Sequence, residues 1–188
     1  MPLNRPGRSA GGLGSVYVTL VVLLFGLGGY PAAQDADPVI GTWVLNVAKS
    51  SFTPGPPPQG ETRTFVLEEQ QTKLTAKNVD APRTTRTVRR DIKATSTGVR
   101  ADGTLAEGEW TIAYDGQDHP IAGDPDADAL STKRVDRFLA EFTKKRAGQP
   151  VITGTCAISE DGRTMTVSSK GVNAKGQTIR DVAVFEKQ

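Results

Sequence analysis

The chain reads as an all-β protein, a single antiparallel up-and-down barrel of about eight to ten strands. Three observations carry this. Val39 to Asn46 is an alternating strand with Val39, Gly41, Trp43 and Leu45 on one face. The chain closes on a second strand, Thr178 to Lys187. Between them, short runs rich in Thr, Val and aromatic residues are separated by turn residues roughly every 8 to 12 positions, the signature of a barrel or sandwich. A chain that opens and closes on strands can pair its ends and remove both sheet edges.

The first segment is read as an export signal and not as part of the fold. Arg5 and Arg8 precede an apolar run, Val16 to Leu27, and Gly28 to Ala33 supplies small residues for cleavage after Ala33. The run is shorter than the about 20 residues that a membrane span needs. Residues 1–33 are thus assigned as signal peptide, 34–38 as a short linker and 39–188 as the barrel domain, placing the mature protein in the periplasm or outside the cell. Arg5 and Arg8 also account for the formal charge of +2, so the remainder carries 21 basic and 21 acidic residues. That balance gives no electrostatic drive towards nucleic acid or a membrane surface.

The strands follow in order. After the first comes Pro54 to Gly60, a proline-rich crossover that can be neither helix nor central strand. Thr62 to Glu68 is a strand with Phe65 and Leu67 on one face, and Thr72 to Val79 reads as the next, broken by Ala81-Pro82. Arg83 to Ala94 is a polar strand, and Glu109 to Tyr114 carries Trp110, Ile112 and Tyr114 on one face. Asp118 to Asp128 reads as irregular and acidic. Leu130 to Val135, Phe138 to Lys144, Pro150 to Ile158 and Thr164 to Ser168 complete the series, with Asp161-Gly162 as a tight turn.

With both ends in view, Gly41-Thr42-Trp43 resembles the Gly-x-Trp of the first strand in the calycin superfamily, the lipocalins and fatty-acid-binding proteins. The closing Val184-Phe185-Glu186-Lys187 is similar to the last strand of the intracellular fatty-acid-binding proteins. Residues 41–50, 54–58, 114–128 and 182–187 together resemble a group of exported bacterial lipocalin-like proteins of unknown function. The resemblance implies a barrel whose Trp43 plugs the closed end, with Arg180 or Lys187 stacked on it. It departs in two places. The proline loop stands where a helical lid would lie, and Ala183 and Phe185 replace the Arg-x-Tyr that holds a carboxylate. A fatty acid held in that family's manner is not expected.

Candidate site residues follow from alternation. Trp43, Phe65, Trp110, Phe138 and Phe142 point inward, either to line a ligand cavity or to fill a core. Arg86 or Arg90, which share a face with Val88 and Ile92, would anchor an acidic lipid or small carboxylate if the strand faces inward; otherwise they belong to an exposed basic edge. Asp124, Asp126 and Asp128 start like a calcium loop, but the glycine and the glutamate that complete an EF-hand are missing. His119 is the single histidine and Cys156 the single cysteine, too few for a zinc site or a histidine-based triad. The expectation is therefore a non-enzymatic protein without metal or cofactor. Its barrel binds a small hydrophobic or amphipathic ligand, or is packed solid and serves as an envelope interaction or inhibitor protein.

Overall fold

A computed structural model describes residues 36–75 and 84–188, with side chains for all of these except 70–75 and 84–89. The segment read as an export signal (1–33), Gln34 and Asp35 of the linker, the end of the run read from Thr72 to Val79 and the Ala81-Pro82 break lie outside the described residues. Ten strands form one closed antiparallel barrel: β1 (Gly41–Leu45), β2 (Gly60–Thr75), β3 (Thr84–Val99), β4 (Leu105–Ile112), β5 (His119–Ala122), β6 (Ala129–Arg134), β7 (Leu139–Arg146), β8 (Gln149–Ile158), β9 (Thr164–Val172) and β10 (Thr178–Lys187). Each strand pairs with its neighbours in sequence, and β1 also pairs with β10. A single 3-10 turn, Val47–Lys49, is the helical element among the described residues.

Two elements differ from the sequence reading. Thr62 to Glu68 and Thr72 to Thr75 belong to one strand, β2, because Glu69-Gln70-Gln71 supplies no turn residue and pairs without interruption with Val88-Arg89-Arg90. The segment read as irregular contains the short strand β5, tied to β4 through Trp110 and Ile121 and to β6 through His119 and Leu130.

Closure depends on the seam between the chain ends. Trp43 faces Lys187 across β1 and β10, and Leu45 faces Phe185. Trp43, Phe185 and Met165 are fully buried and anchor a core completed by Val39, Phe65, Ile92, Ile112 and Ile158. The Trp43 indole Nε1 donates to the Val39 carbonyl at 2.7 Å, which satisfies its one donor. The Lys187 ammonium lies 4.9 Å from the Trp43 ring centroid and donates to the Pro38 carbonyl, the expected cation–π stacking. Gly41 has φ +128°, and a Cβ there would stand 2.7 Å from Lys187 Cε, so glycine lets the lysine cross the strand.

Most outward positions carry polar residues, among them Thr64, Thr95, Glu109, Lys133, Thr153 and Lys170, with Val44, Val66 and Val182 as exposed apolar exceptions. This differs from the apolar belt of a membrane-spanning barrel. No helix among the described residues is long and apolar enough to cross a membrane.

Two substitutions separate packing from hydrogen bonding at the closed end. Trp43→Ala should cost about 3–5 kcal/mol, and Trp43→Phe, which keeps a ring but loses the bond to Val39, about 1–2 kcal/mol. Urea denaturation reads both; no loss in Trp43→Phe would show that the indole bond adds nothing, and equal losses that the ring packing adds nothing.

Candidate functional site

The inward positions change character along the barrel axis. At the Trp43 end they are apolar: Phe185, Met165 and Ile158 lie side by side across β10, β9 and β8. Two residues further along these strands sit Ala183, Val167 and Cys156, and then Asp181, Ser169 and Gly154. The same step along β2 leads from Phe65 through Arg63 to Glu61. Small side chains in the middle of the barrel leave a cavity of about 390 Å³. Its lining reaches from Arg134 and Phe138, near the Trp43 end, to Phe52 and Asp124 at the other.

Aromatic rings form much of the apolar wall. Phe65 and Trp110 meet edge to face at 6.1 Å with an interplanar angle of 80°. Phe142 lies against Gly154, where an added Cβ would stand 2.5 Å from the ring and 2.1 Å from the Ser168 carbonyl oxygen. Phe138, Phe142, Phe65 and Trp110 all line the cavity, so these four inward assignments meet in one place. Trp43 is not among the lining residues; it is sealed below them in the core.

Arg90 requires a correction. Its alternation with Ile92 is as read, but β2 and β3 outrun the barrel. Pairing with β1 stops at Gly41–Phe65, and pairing with β4 stops at Ile92–Ile112. Arg90 therefore has no opposite wall to face. Its side chain is 59% exposed and pairs with Glu69 at 2.9 Å. The same overrun exposes Leu67. The side chain of Arg86 lies outside the described residues.

The polar groups inside the barrel are others. Arg63 donates from Nε to Glu61 Oε1 at 2.7 Å and from Nη2 to Oε2 at 3.2 Å. Its guanidinium stacks 4.4 Å from the Phe185 centroid and 5.8 Å from that of Trp110. Arg134 pairs with Asp37 and lies 3.9 Å over the Tyr114 ring. Burial, then the Asp37 charge, raises the Tyr114 hydroxyl above its ordinary range. Lys144 donates to Asp124 at 2.7 Å. Burial pushes the Asp124 carboxyl up, but the Lys144 charge and hydrogen bonds from Lys144 and the amides of Asp126 and Ala127 outweigh it and hold it low.

The remaining candidates have structural partners. Burial pushes the Cys156 thiol up to about 11, which keeps it protonated and poorly nucleophilic at neutral pH. His119 Nε2 sits 3.0 Å from Asp115 Oδ1. In the acidic loop Asp124 accepts from the Asp126 amide, Asp126 from Ala174 and Asp128 from Ala147. These bonds fix the loop, and no group of three or more metal-ligating side chains is placed to hold an ion among the described residues.

Comparison with protein-family models and with curated proteins gives no match for this chain. The fold and the cavity geometry therefore carry the functional reading.

Two predictions follow from this geometry. Gly154→Ala should force Phe142 and the β9 backbone apart, costing about 1–3 kcal/mol in urea denaturation; an unchanged midpoint would contradict the close packing. Because the Asp124 carboxyl is held low in the folded state, its ion pair contributes fully above the ordinary aspartate range. That contribution is lost as pH falls through the depressed value. Asp124→Asn should cost about 1–3 kcal/mol at neutral pH. The gap to wild type should narrow below about pH 4, and a gap constant across that range would sink the assignment.

Proposed function

We propose that the protein is an exported lipocalin-like binding protein that holds a small hydrophobic or amphipathic ligand inside its barrel. The observation that carries this reading is the cavity of about 390 Å³ within a closed barrel. Small-molecule sites are typically about 300–1,000 Å³, mostly apolar and furnished with a few fixed polar groups. Phe65, Trp110, Phe138 and Phe142 supply the apolar wall, and Arg63, held by Glu61 and two aromatic rings, supplies a fixed donor. The cavity weighs against a solidly packed barrel that works only through its outer loops. The N-terminal signal pattern supports export, and the group of exported bacterial lipocalin-like proteins is the family reading that best suits Gly41-Thr42-Trp43 at a closed barrel end. The role is binding and not catalysis: the one cysteine is held as a thiol and the one histidine is engaged by a surface aspartate.

Native mass spectrometry of protein purified from its own host should show a co-purifying small molecule. A neutral fluorescent apolar probe should bind and be displaced by the extracted material. Ala140, on the cavity wall, offers a blocking variant. Ala140→Phe should weaken probe binding about tenfold or more and cost less than about 3 kcal/mol in stability. No co-purifying molecule together with no displaceable probe would overturn the binding role.

A further inference from the structure

The charges inside the barrel restrict what kind of ligand it takes. Three of the lining cations have a carboxylate partner: Arg63 has Glu61, Arg134 has Asp37 and Lys144 has Asp124; Arg100, which donates to Thr104 and the Leu105 carbonyl, and Arg137 line the cavity as well. One further carboxylate, Asp181, lies on the inward face beyond these pairs. Asp181 accepts a hydrogen bond from the Thr53 amide, and burial followed by the nearby Asp126 charge pushes its carboxyl upward. An anionic ligand group would lose its hydration here and meet the Asp181 carboxyl, with each of these three cations already neutralised.

Arg63 nevertheless offers hydrogen bonds. Glu61 takes Nε and Nη2, and Nη1 has no protein partner among the described residues. No buried side-chain nitrogen or oxygen among the described residues lacks a partner, so Nη1 is at an accessible position, and Arg63 lines the cavity. The guanidinium is fixed by Glu61 on one edge and by the rings of Phe185 and Trp110 on its faces. A donor held this way is preorganised for an acceptor at low entropic cost.

We propose that the cavity selects an uncharged apolar ligand carrying a hydrogen-bond acceptor, such as a carbonyl, ester or hydroxyl oxygen, which Arg63 Nη1 engages, and that Glu61 excludes carboxylate and other anionic ligands by neutralising Arg63. The inference rests on the barrel being a ligand site. It deepens that reading by assigning Arg63 as the anchor and Glu61 as the residue that sets charge selectivity.

Two probes with one skeleton test it: neutral N-phenylnaphthylamine and its anionic sulfonated form, anilinonaphthalene sulfonate. In the wild-type protein the neutral probe should bind about tenfold or more tightly than the sulfonate. Equal or tighter sulfonate binding would overturn the selectivity while leaving the cavity as a binding site. Failure of both probes to bind would overturn the binding role and this inference with it. Glu61→Gln keeps an acceptor for Arg63 but removes the charge, and should shift the ratio of the two dissociation constants about tenfold towards the sulfonate. Adding Arg63→Met should reverse that shift. An unchanged ratio in a folded Glu61→Gln protein, verified by circular dichroism, would contradict the role of Glu61. If that variant does not fold, the wild-type ratio decides alone.

Discussion

The pairing of β1 with β10 is the constraint on which the rest of the molecule depends. Without it the sheet would have two free edges and no interior. The ladder itself is short, three register pairs from Trp43–Lys187 to Leu45–Phe185, and the backbone tie continues past it through Asn46–Val184 and the Ser51–Val182 bridge. Side chains reinforce it. Trp43 fills the end of the barrel, Lys187 crosses its ring to reach the Pro38 carbonyl, and the Val39 carbonyl caps the indole. One cluster thus ties the segment before the first strand, the first strand itself and the last strand. Lys49 and Asn46 extend the tie by sharing the Glu186 carboxylate.

Closing one end with large side chains leaves the middle to small ones. Ala94, Ala140, Gly154 and Ala183 face inward where an aliphatic core would carry Leu or Ile. The space this leaves is the cavity. Interior charges would be unfavourable in such a place, and the barrel meets this by pairing them. Arg63–Glu61, two residues apart on β2, is a unit supplied by one strand. Arg134–Asp37 instead joins β6 to the segment before β1 and lies over Tyr114. Removing one partner from either pair would strand a charge in a partly desolvated interior, typically the costlier change. The pairs thus have a structural role and, under the proposed binding function, a second one, that of defining which ligand charges are tolerated.

Much of the barrel was legible in the sequence because alternation is a local property. Phe65, Trp110, Phe138 and Phe142 follow from period-two patterning and reach one cavity. The Arg90 expectation failed for a non-local reason: parity along β3 was right, but whether an inward-parity residue has a wall opposite depends on where β1 and β4 stop pairing. Arg63 and Glu61 carried the same signal as Phe65, since all three share one face of β2. Their polarity drew attention away from that face. Arg134 likewise shares parity with Leu130 and Thr132. The Asp37 and Asp124 partnerships could not be read, because they join residues 97 and 20 positions apart. β5 was hidden by composition: Pro120 and the flanking aspartates are turn residues by habit, and only pairing on both sides makes four residues a strand.

The two tryptophans make the division between closed end and cavity directly measurable. Trp43 is sealed in the core with its indole bonded to Val39, whereas Trp110 lines the cavity beside Arg63. In nitrogen-15 NMR their indole signals and the Arg63 Nε signal report separately on these places. Titration with a neutral apolar ligand should move the Trp110 indole and Arg63 Nε resonances and leave that of Trp43 in place. Movement of the Trp43 signal alone, or of none of the three at saturating ligand, would contradict a closed-end barrel with a ligand cavity above it.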